Sequence, residues 1–306
     1  MRLRGKAARQ AGVACAFFLT LFSAAPCAAE NRTVTDLAGR TMQVPRDPQR
    51  VVALAPSLTE IVFALGEEGR LVGVTLFSDY PEAARKLPKV GSYVQLDLER
   101  IVALRPDLCL AIRDGNPKAV VDHLEAMQVP VYAADPRDLG SVMETIAALG
   151  DLLGAREAAA RINADTRRRI AAVQRRVARA DHRPRVFFQI GLAPIVSAGS
   201  GTFIHELIVR AGGINVAAGP APYPRFSTEQ VIGLAPEIII ITSMAREGLF
   251  EQVRDEWRRW PQMPAAADDR IYISESNLLD RPSPRLVAGL EHLARLIHPA
   301  LSEERP

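Results

Sequence analysis

The sequence predicts an α/β protein of two lobes, each a parallel-rich sheet covered by helices, joined by one long connecting α-helix. From Arg50 onward, short apolar runs alternate with amphipathic segments, the pattern of parallel strands with helical crossovers. Between Leu153 and about Ala180 a polar stretch carries Ile162, Thr166, Ile170, Val173 and Val177 at steps of three and four, the narrow stripe of a single helix. On either side of it stand two near-copies of one motif, LERIVALRPDL at 98–108 and TEQVIGLAPEI at 228–238. A chain of 306 residues can hold two domains, each with its own core.

Taken in order, residues 1–29 read as an export signal. Arg2, Arg4, Lys6 and Arg9 precede an apolar run and then Cys27-Ala28-Ala29, with cleavage expected after Ala29. That run is shorter than the roughly 20 residues that span a bilayer. The N-terminal lobe is expected over 30–152. Val51–Ala55 reads as a strand, and Pro56-Ser57 opens a helix with Ser57 and Glu60 at capping-box spacing and Gly66 as its stop. Further strands are expected at 71–75, 108–112 and 129–133, with helices between them. The connecting helix takes 153–181 and the second lobe 182–306. There the alternation resumes with strands at 186–190, 238–242 and 271–274 and helices at 203–211, 229–234 and 250–260. A last helix is expected from Ser283-Pro284, burying Leu286, Leu290, Leu293 and Ile297.

Charge and cysteine content exclude several functions. Four of the 38 Lys and Arg lie in residues 1–29, which hold no acid, so 34 cations face 35 acids in the remainder. Nothing in that balance points to nucleic acid, and Arg167-Arg168-Arg169 and Arg175-Arg176 read as a solvated helix face. Only Cys109 remains beyond the signal, inside an apolar strand, where it is a small filler rather than a nucleophile. His123, His182, His205, His292 and His298 are scattered, with no pair at metal-ligand spacing. There is no G-x-S-x-G, no Walker loop and no strand-bound G-x-G-x-x-G, so no enzyme motif is present and no cofactor is expected.

In both copies of the motif a glutamate, Glu99 or Glu229, falls in the first turn of a helix, after Asp97 or Ser227 as N-cap. Helical spacing turns Ile101 and Val102, and likewise Val231 and Ile232, to one side and leaves the glutamates exposed. The helix dipole favours an acid there by a few tenths to about 1 kcal/mol. Descent of the lobes from one ancestor would repeat it without any function.

The segments RVVALAPSLTEIVFALG, FSDYPEAARKLPKVGSY, LDLERIVALRPDL, FSTEQVIGLAPEIIIIT and RPSPR together resemble the periplasmic cobalamin-binding proteins of ATP-driven (ABC) importers, from about Arg50 to Leu296. The resemblance implies two Rossmann-like lobes on a helical backbone, with ligand held in the cleft between them. It implies that Glu99 and Glu229 dock onto the two subunits of an inner-membrane permease dimer. Pro56 and Ser57 match the family's cleft wall, and Phe77, Tyr93 and Tyr223 stand where relatives offer aromatic rings to the corrin. Ile112 replaces an expected tryptophan, and Asn277 an expected aspartate, ahead of Arg281. A monomer in the periplasm, with cobalamin or a related corrinoid as transported ligand and little lobe movement, is the resulting expectation.

Haem or an iron-siderophore is the alternative ligand on the same architecture. For haem, Tyr93, Tyr223 or His205 could supply an axial ligand. For an anionic siderophore, Arg113, Arg225 and Arg281 are the cations near the presumed cleft. An exported α/β enzyme is a third reading.

Overall fold

The computed structural model describes residues 30–242, 250–274 and 276–302, so the expected signal at 1–29 lies outside the described residues. The described residues open with a hairpin that the alternation from Arg50 onward does not predict. Asn31–Thr35 (β1) pairs antiparallel with Thr41–Pro45 (β2), Thr35 opposite Thr41. Its signal was the alternation that turns Val34, Met42 and Val44 inward. In the turn, Asp36 accepts from the N–H groups of Ala38 at 3.0 Å and Arg40 at 2.8 Å.

The N-terminal lobe then alternates Val51–Ala53 (β3), Pro56–Leu65 (α1), Leu71–Val74 (β4), Leu98–Ala103 (α2), Leu108–Ile112 (β5), Lys118–Ala126 (α3), Val131–Ala134 (β6) and Leu139–Leu152 (α4). Its sheet has the order β4-β3-β5-β6 and is parallel throughout. Helices cover both faces, which is why its strands are near-continuous apolar runs. Cys109 is buried in β5, and burial pushes its thiol up to about 12.

The expected capping box on α1 is corrected. The N-cap is Ala55 in extended conformation, Pro56 is the first helical residue, and no side chain caps the turn. Strand β3 runs almost directly into the helix, and Glu60 is buried at 3% exposure against the other lobe instead of reaching back to Ser57. Gly66 does end the helix, at φ 80°.

The connecting helix is Arg156–Val177 (α5). It starts three residues later than the sequence pattern suggested because Gly154, at φ 77°, turns the chain after α4. It touches α4 and α1 of the first lobe and the helices Phe203–Arg210 and Leu286–Ile297 of the second. Thr166, Ile170 and Val173 are buried, while Ile162 and Val177 are half-buried against the same core. That core is one cluster, running from Val51 and Leu108 through Ile170 and Val173 to Val186, Ile240 and Leu290.

The second lobe comprises Arg185–Gly191 (β7), Ile195–Ser197 (β8), Phe203–Arg210 (α6), Ile214–Asn215 (β9), Arg225–Phe226 (β10), Thr228–Gly233 (α7), Ile238–Ile241 (β11), Phe250–Arg258 (α8), Pro264–Ala267 (α9), Ile271–Ile273 (β12), Ser276–Leu279 (α10) and Leu286–Ile297 (α11). Strands β7, β11 and β12 are parallel neighbours, and β9 also pairs parallel with β7. The short β8 and β10 add an antiparallel flank that the sequence did not announce. Helix α11 buries Leu286, Leu290, Leu293 and Ile297 as expected. It begins after Arg285 rather than at Ser283-Pro284, because residues 281–285 form a turn that presents two arginines to Glu60.

Both copies of the repeated motif fold alike. Asp97 and Ser227 cap α2 and α7, accepting the N–H of Arg100 at 3.0 Å and of Gln230 at 3.3 Å. Ile101 and Val231 are fully buried. Each helix is followed by a residue in left-handed conformation, Arg105 at φ 47° and Ala235 at φ 44°, and then by proline. The acid after that proline clamps the first strand of its lobe: Asp107 accepts the N–H groups of Gln49 at 2.8 Å and Arg50 at 2.9 Å, and Glu237 that of Arg185 at 2.7 Å. Arg50 and Arg185 reciprocate by donating to the carbonyls of Leu104 and Leu234, at 2.6 and 2.8 Å. Glu99 and Glu229 are both exposed and take no part in this clamp, and a hydrogen bond with Ser227 holds the Glu229 carboxyl below its ordinary value. Asp107→Ala strands two backbone N–H groups, so urea unfolding should show a loss of about 1–2 kcal/mol, and no change in midpoint would contradict the clamp.

Candidate functional site

Parallel strands leave their carboxyl ends as the natural place for a site. A cavity of about 630 Å³ lies there, between the lobes. Pro56 and Ser57 reach it from the first turn of α1, Ile112, Arg113 and Asp114 from the end of β5, and Pro136 and Arg137 from the segment after β6. From the second lobe come Ile190 at the end of β7, Thr202 and Phe203 at the start of α6, Tyr223 before β10, and Asp280 and Arg281 after α10.

Of the residues singled out in the sequence, Pro56, Ser57, Tyr93, Ile112, Arg113, Tyr223 and Arg281 line this cavity. Tyr93 is held by its backbone. Asn116 donates to the Tyr93 carbonyl and to that of Leu54, both at 2.8 Å, and accepts the Ile112 N–H at 2.8 Å. Gly115 lies against the ring, where a Cβ would come within 3.0 Å of it. Tyr223 is placed by the N–H groups of Ser197 and Gly199, which donate to the carbonyls of Pro224 and Pro222 at 3.0 and 2.8 Å. Its hydroxyl donates to Asp114 at 3.5 Å, across the cleft. Burial and the nearby Asp114 carboxylate push the Tyr223 hydroxyl up to about 12 and raise that of Tyr93 in the same sense, so both phenols are neutral donors at neutral pH.

Phe77 and Asn277 do not line the cavity. Phe77 is 44% exposed and meets Arg281 through its carbonyl, at 2.9 Å, while the Asn277 carbonyl accepts from Arg285 at 3.1 Å. His205 is away from the cavity, with its Nδ1 3.1 Å from Asn215 Nδ2, and Arg225 stands outside it on β10. The residues missed were Asp114, Arg137, Phe203 and Asp280. The strand-end rule would have found Asp114 and Arg137. Asp280 is the direct neighbour of Arg281, three residues beyond Asn277. Thr242 donates to Asp280 Oδ1 at 2.9 Å. Burial pushes this carboxyl up to about 7, against the hydrogen bond from Thr242 and the positive charge of Arg281.

Behind the wall, an ion cluster joins the lobes. Glu60 of α1 is met by Arg281 at 3.2 Å and by Arg285 at 2.7 Å. Arg281 also reaches Asp79 at 2.7 Å, and the Arg285 guanidinium lies 3.7 Å from the centre of the Tyr80 ring. Partial burial pushes the Asp79 carboxyl up, but the Arg281 guanidinium more than offsets this and holds it below its ordinary value. Among the described residues no group of His, Cys, Asp and Glu is arranged to hold a metal ion, and no helix is long and apolar enough to cross a membrane.

The chain matches the family described as periplasmic binding protein over residues 51–278. It is 32% identical over 248 residues to a vitamin B12-binding protein of Yersinia pestis, covering 81% of this chain and 85% of that one. Among solved structures it resembles the periplasmic vitamin B12-binding protein of Vibrio cholerae, with a TM-score of 0.74 and 27% identity over 84% of this chain and 99% of that one. It also resembles a periplasmic heme-binding protein of Pseudomonas aeruginosa, with a TM-score of 0.74 and 32% identity over 83% and 94% of the two chains.

Removing the carboxylate at the centre of the ion cluster leaves two arginines facing each other. Glu60→Ala should therefore cost about 3–5 kcal/mol in denaturant unfolding at neutral pH, and a loss below about 1 kcal/mol would show that the cluster does not hold the lobes together.

Proposed function

The chain belongs to the periplasmic binding protein family, and from that premise we propose that it captures cobalamin or a related corrinoid in the interlobe cavity and hands it to an ABC-type permease dimer. One observation carries the ligand class: Tyr93 of the first lobe and Tyr223 of the second line a single cavity, in a chain whose sequence kinship to a vitamin B12-binding protein extends over 81% of its length. Two aromatic rings on opposite walls suit a flat, largely apolar macrocycle, and their hydroxyls suit its polar side chains. Pro56 and Ser57 complete the wall, with Arg281 beside them. A corrinoid outsizes the cavity and projects from its mouth, leaving part of the ligand visible to the permease. Phe77, exposed close to Arg281, and Asn277 are proposed to meet this projecting part.

The reading takes the lobes as 30–152 and 182–306, joined by the 153–181 segment, in a monomer exported to the periplasm by the cleavable signal at 1–29. Glu99 and Glu229 fit the role of docking residues. Both are exposed, both are the second residue of a six-residue helix, and neither takes part in the strand clamp made by Asp107 and Glu237. Opposite charge on the permease would steer encounter and set register more than it would add affinity. The heme-binding neighbour and the two tyrosines support haem as a second reading.

Calorimetric titration of residues 30–306 should give one-to-one cyanocobalamin binding in the nanomolar to low micromolar range, with haemin weaker. Haemin heat without cobalamin heat would move the assignment to the second reading. Glu99→Arg combined with Glu229→Arg should leave that titration unchanged and abolish uptake in cells; normal uptake by the double variant would remove the docking role.

A further inference from the structure

Charge is unevenly distributed along the chain. Residues 156–185 hold ten arginines against three acids, whereas the rest of residues 30–306 hold 24 cations against 32 acids. Most of that excess lies on α5, and its outward side is ordered. At about 100° per residue, Arg161, Arg168 and Arg175 fall within about 40° of one another, opposite the buried Thr166, Ile170 and Val173. The helix rise sets them about 10 Å apart in a row of about 21 Å. The exposed Ala164 and Ala172 lie between them on the same line. The side chains of Arg161 and Arg168 are 73% and 75% exposed; Arg168 pairs with Asp165, and Arg161 stands 3.8 Å from Glu157. Arg175 and the neighbouring Arg167 are exposed and meet no carboxylate among the described residues.

We propose that the row Arg161, Arg168 and Arg175 seats the protein on a bilayer of anionic phospholipid. A straight run of guanidinium groups spaced by alanines offers no apolar anchor to a shaped protein partner, but it matches a flat sheet of phosphates, which guanidinium groups bind through paired hydrogen bonds. The negative potential of such a leaflet attracts basic residues within a Debye length of its surface. The acid excess elsewhere on the chain is repelled by the same field, so the attraction also orients the molecule with α5 toward the lipid. The inference goes beyond ligand capture and draws on the proposed function only for the protein's place in the periplasm, beside a membrane.

This surface is separate from the cavity and from the glutamates of the repeated motif. None of the three arginines lines the cavity. Successive strand residues point to opposite sheet faces: Val51 and Ala53 of β3 join the core that α5 packs on, while Val52 joins the cluster that holds Ile101 of α2. In the second lobe Ile238 and Ile240 join the α5 core, and Ile239 and Ile241 the cluster that holds Val231 of α7. Helix α5 therefore covers the sheet faces turned away from α2 and α7. Contact with lipid through α5 leaves Glu99 and Glu229 uncovered, and a protein held at the bilayer searches for a membrane partner in two dimensions instead of three.

The test is co-sedimentation of residues 30–306 with vesicles of phosphatidylcholine, with or without about 30% phosphatidylglycerol. At about 50 mM salt the partition coefficient should be at least about tenfold higher on the anionic vesicles, and about 0.5 M salt should remove the difference. Replacing Arg161, Arg168 and Arg175 together by Gln, a good helix former, should lower partition at least about tenfold and leave the melting temperature and the cyanocobalamin titration unchanged. A control of equal net charge, with Arg46, Lys118 and Arg259 replaced by Gln, should bind the anionic vesicles nearly as wild type does, since those exposed cations lie off the row. Equal partition on both vesicles, or equal losses in the two triple variants, overturns the inference. Salt-dependent self-association in sedimentation velocity, lost in the row variant and without vesicle binding, overturns it in favour of a second copy of this chain. Absence of cyanocobalamin binding would overturn the corrinoid reading and leave this one standing.

Discussion

A single buried carboxylate governs how the two lobes meet. Glu60 lies on α1 of the first lobe, 3% exposed, and its counter-charges come from the turn ahead of α11 in the second. An ionised carboxylate out of water costs several kcal/mol unless partners satisfy it, so separating the lobes exposes three charges that are paired only in this arrangement. The site inherits that constraint from both sides. Pro56 and Ser57 belong to the first turn of the helix that carries Glu60, and Asp280 immediately precedes one of its arginines. Wall and lock are thus built from the same two segments.

The apolar interior imposes the same restriction by other means. Helix α5 touches elements of both lobes, and the cluster it joins contains strand residues of each sheet. Arg169 adds a bidentate bond from α5 to Glu291 of α11, at 2.8 and 2.7 Å. Both links oppose hinging between the lobes, so a cavity largely shaped before ligand arrives is the expectation for this architecture.

Much of this was legible in the sequence because it rests on local periodicity. The parallel strands, the stripe of α5 and the buried face of α11 follow from patterns within ten or twenty residues. The repeat was legible as a repeat, and its caps Asp97 and Ser227 were identified, but the clamping roles of Asp107 and Glu237 depend on strands some 50 residues earlier. The failures have a common cause. Ser57 and Glu60 have capping-box spacing, and Ser283-Pro284 has the form of a helix start. Both local signals lost to one long-range ion cluster between residues more than 200 positions apart. At the cavity, resemblance identified Tyr93, Tyr223 and Arg281. It pointed to Asn277 where the wall carries Asp280, because nothing local shows which side of a four-residue helix faces a cleft.

Cys109 has a use that its inertness creates. It is the one thiol among the described residues, fully buried in the middle of the first sheet between β3 and β6, and its thiolate is suppressed by burial. Small alkylating reagents can reach it only when β5 separates from its neighbours. The rate at which the native protein is labelled is thus a clock for opening of the first lobe, and ligand bound across the cleft should slow that clock without touching the cysteine.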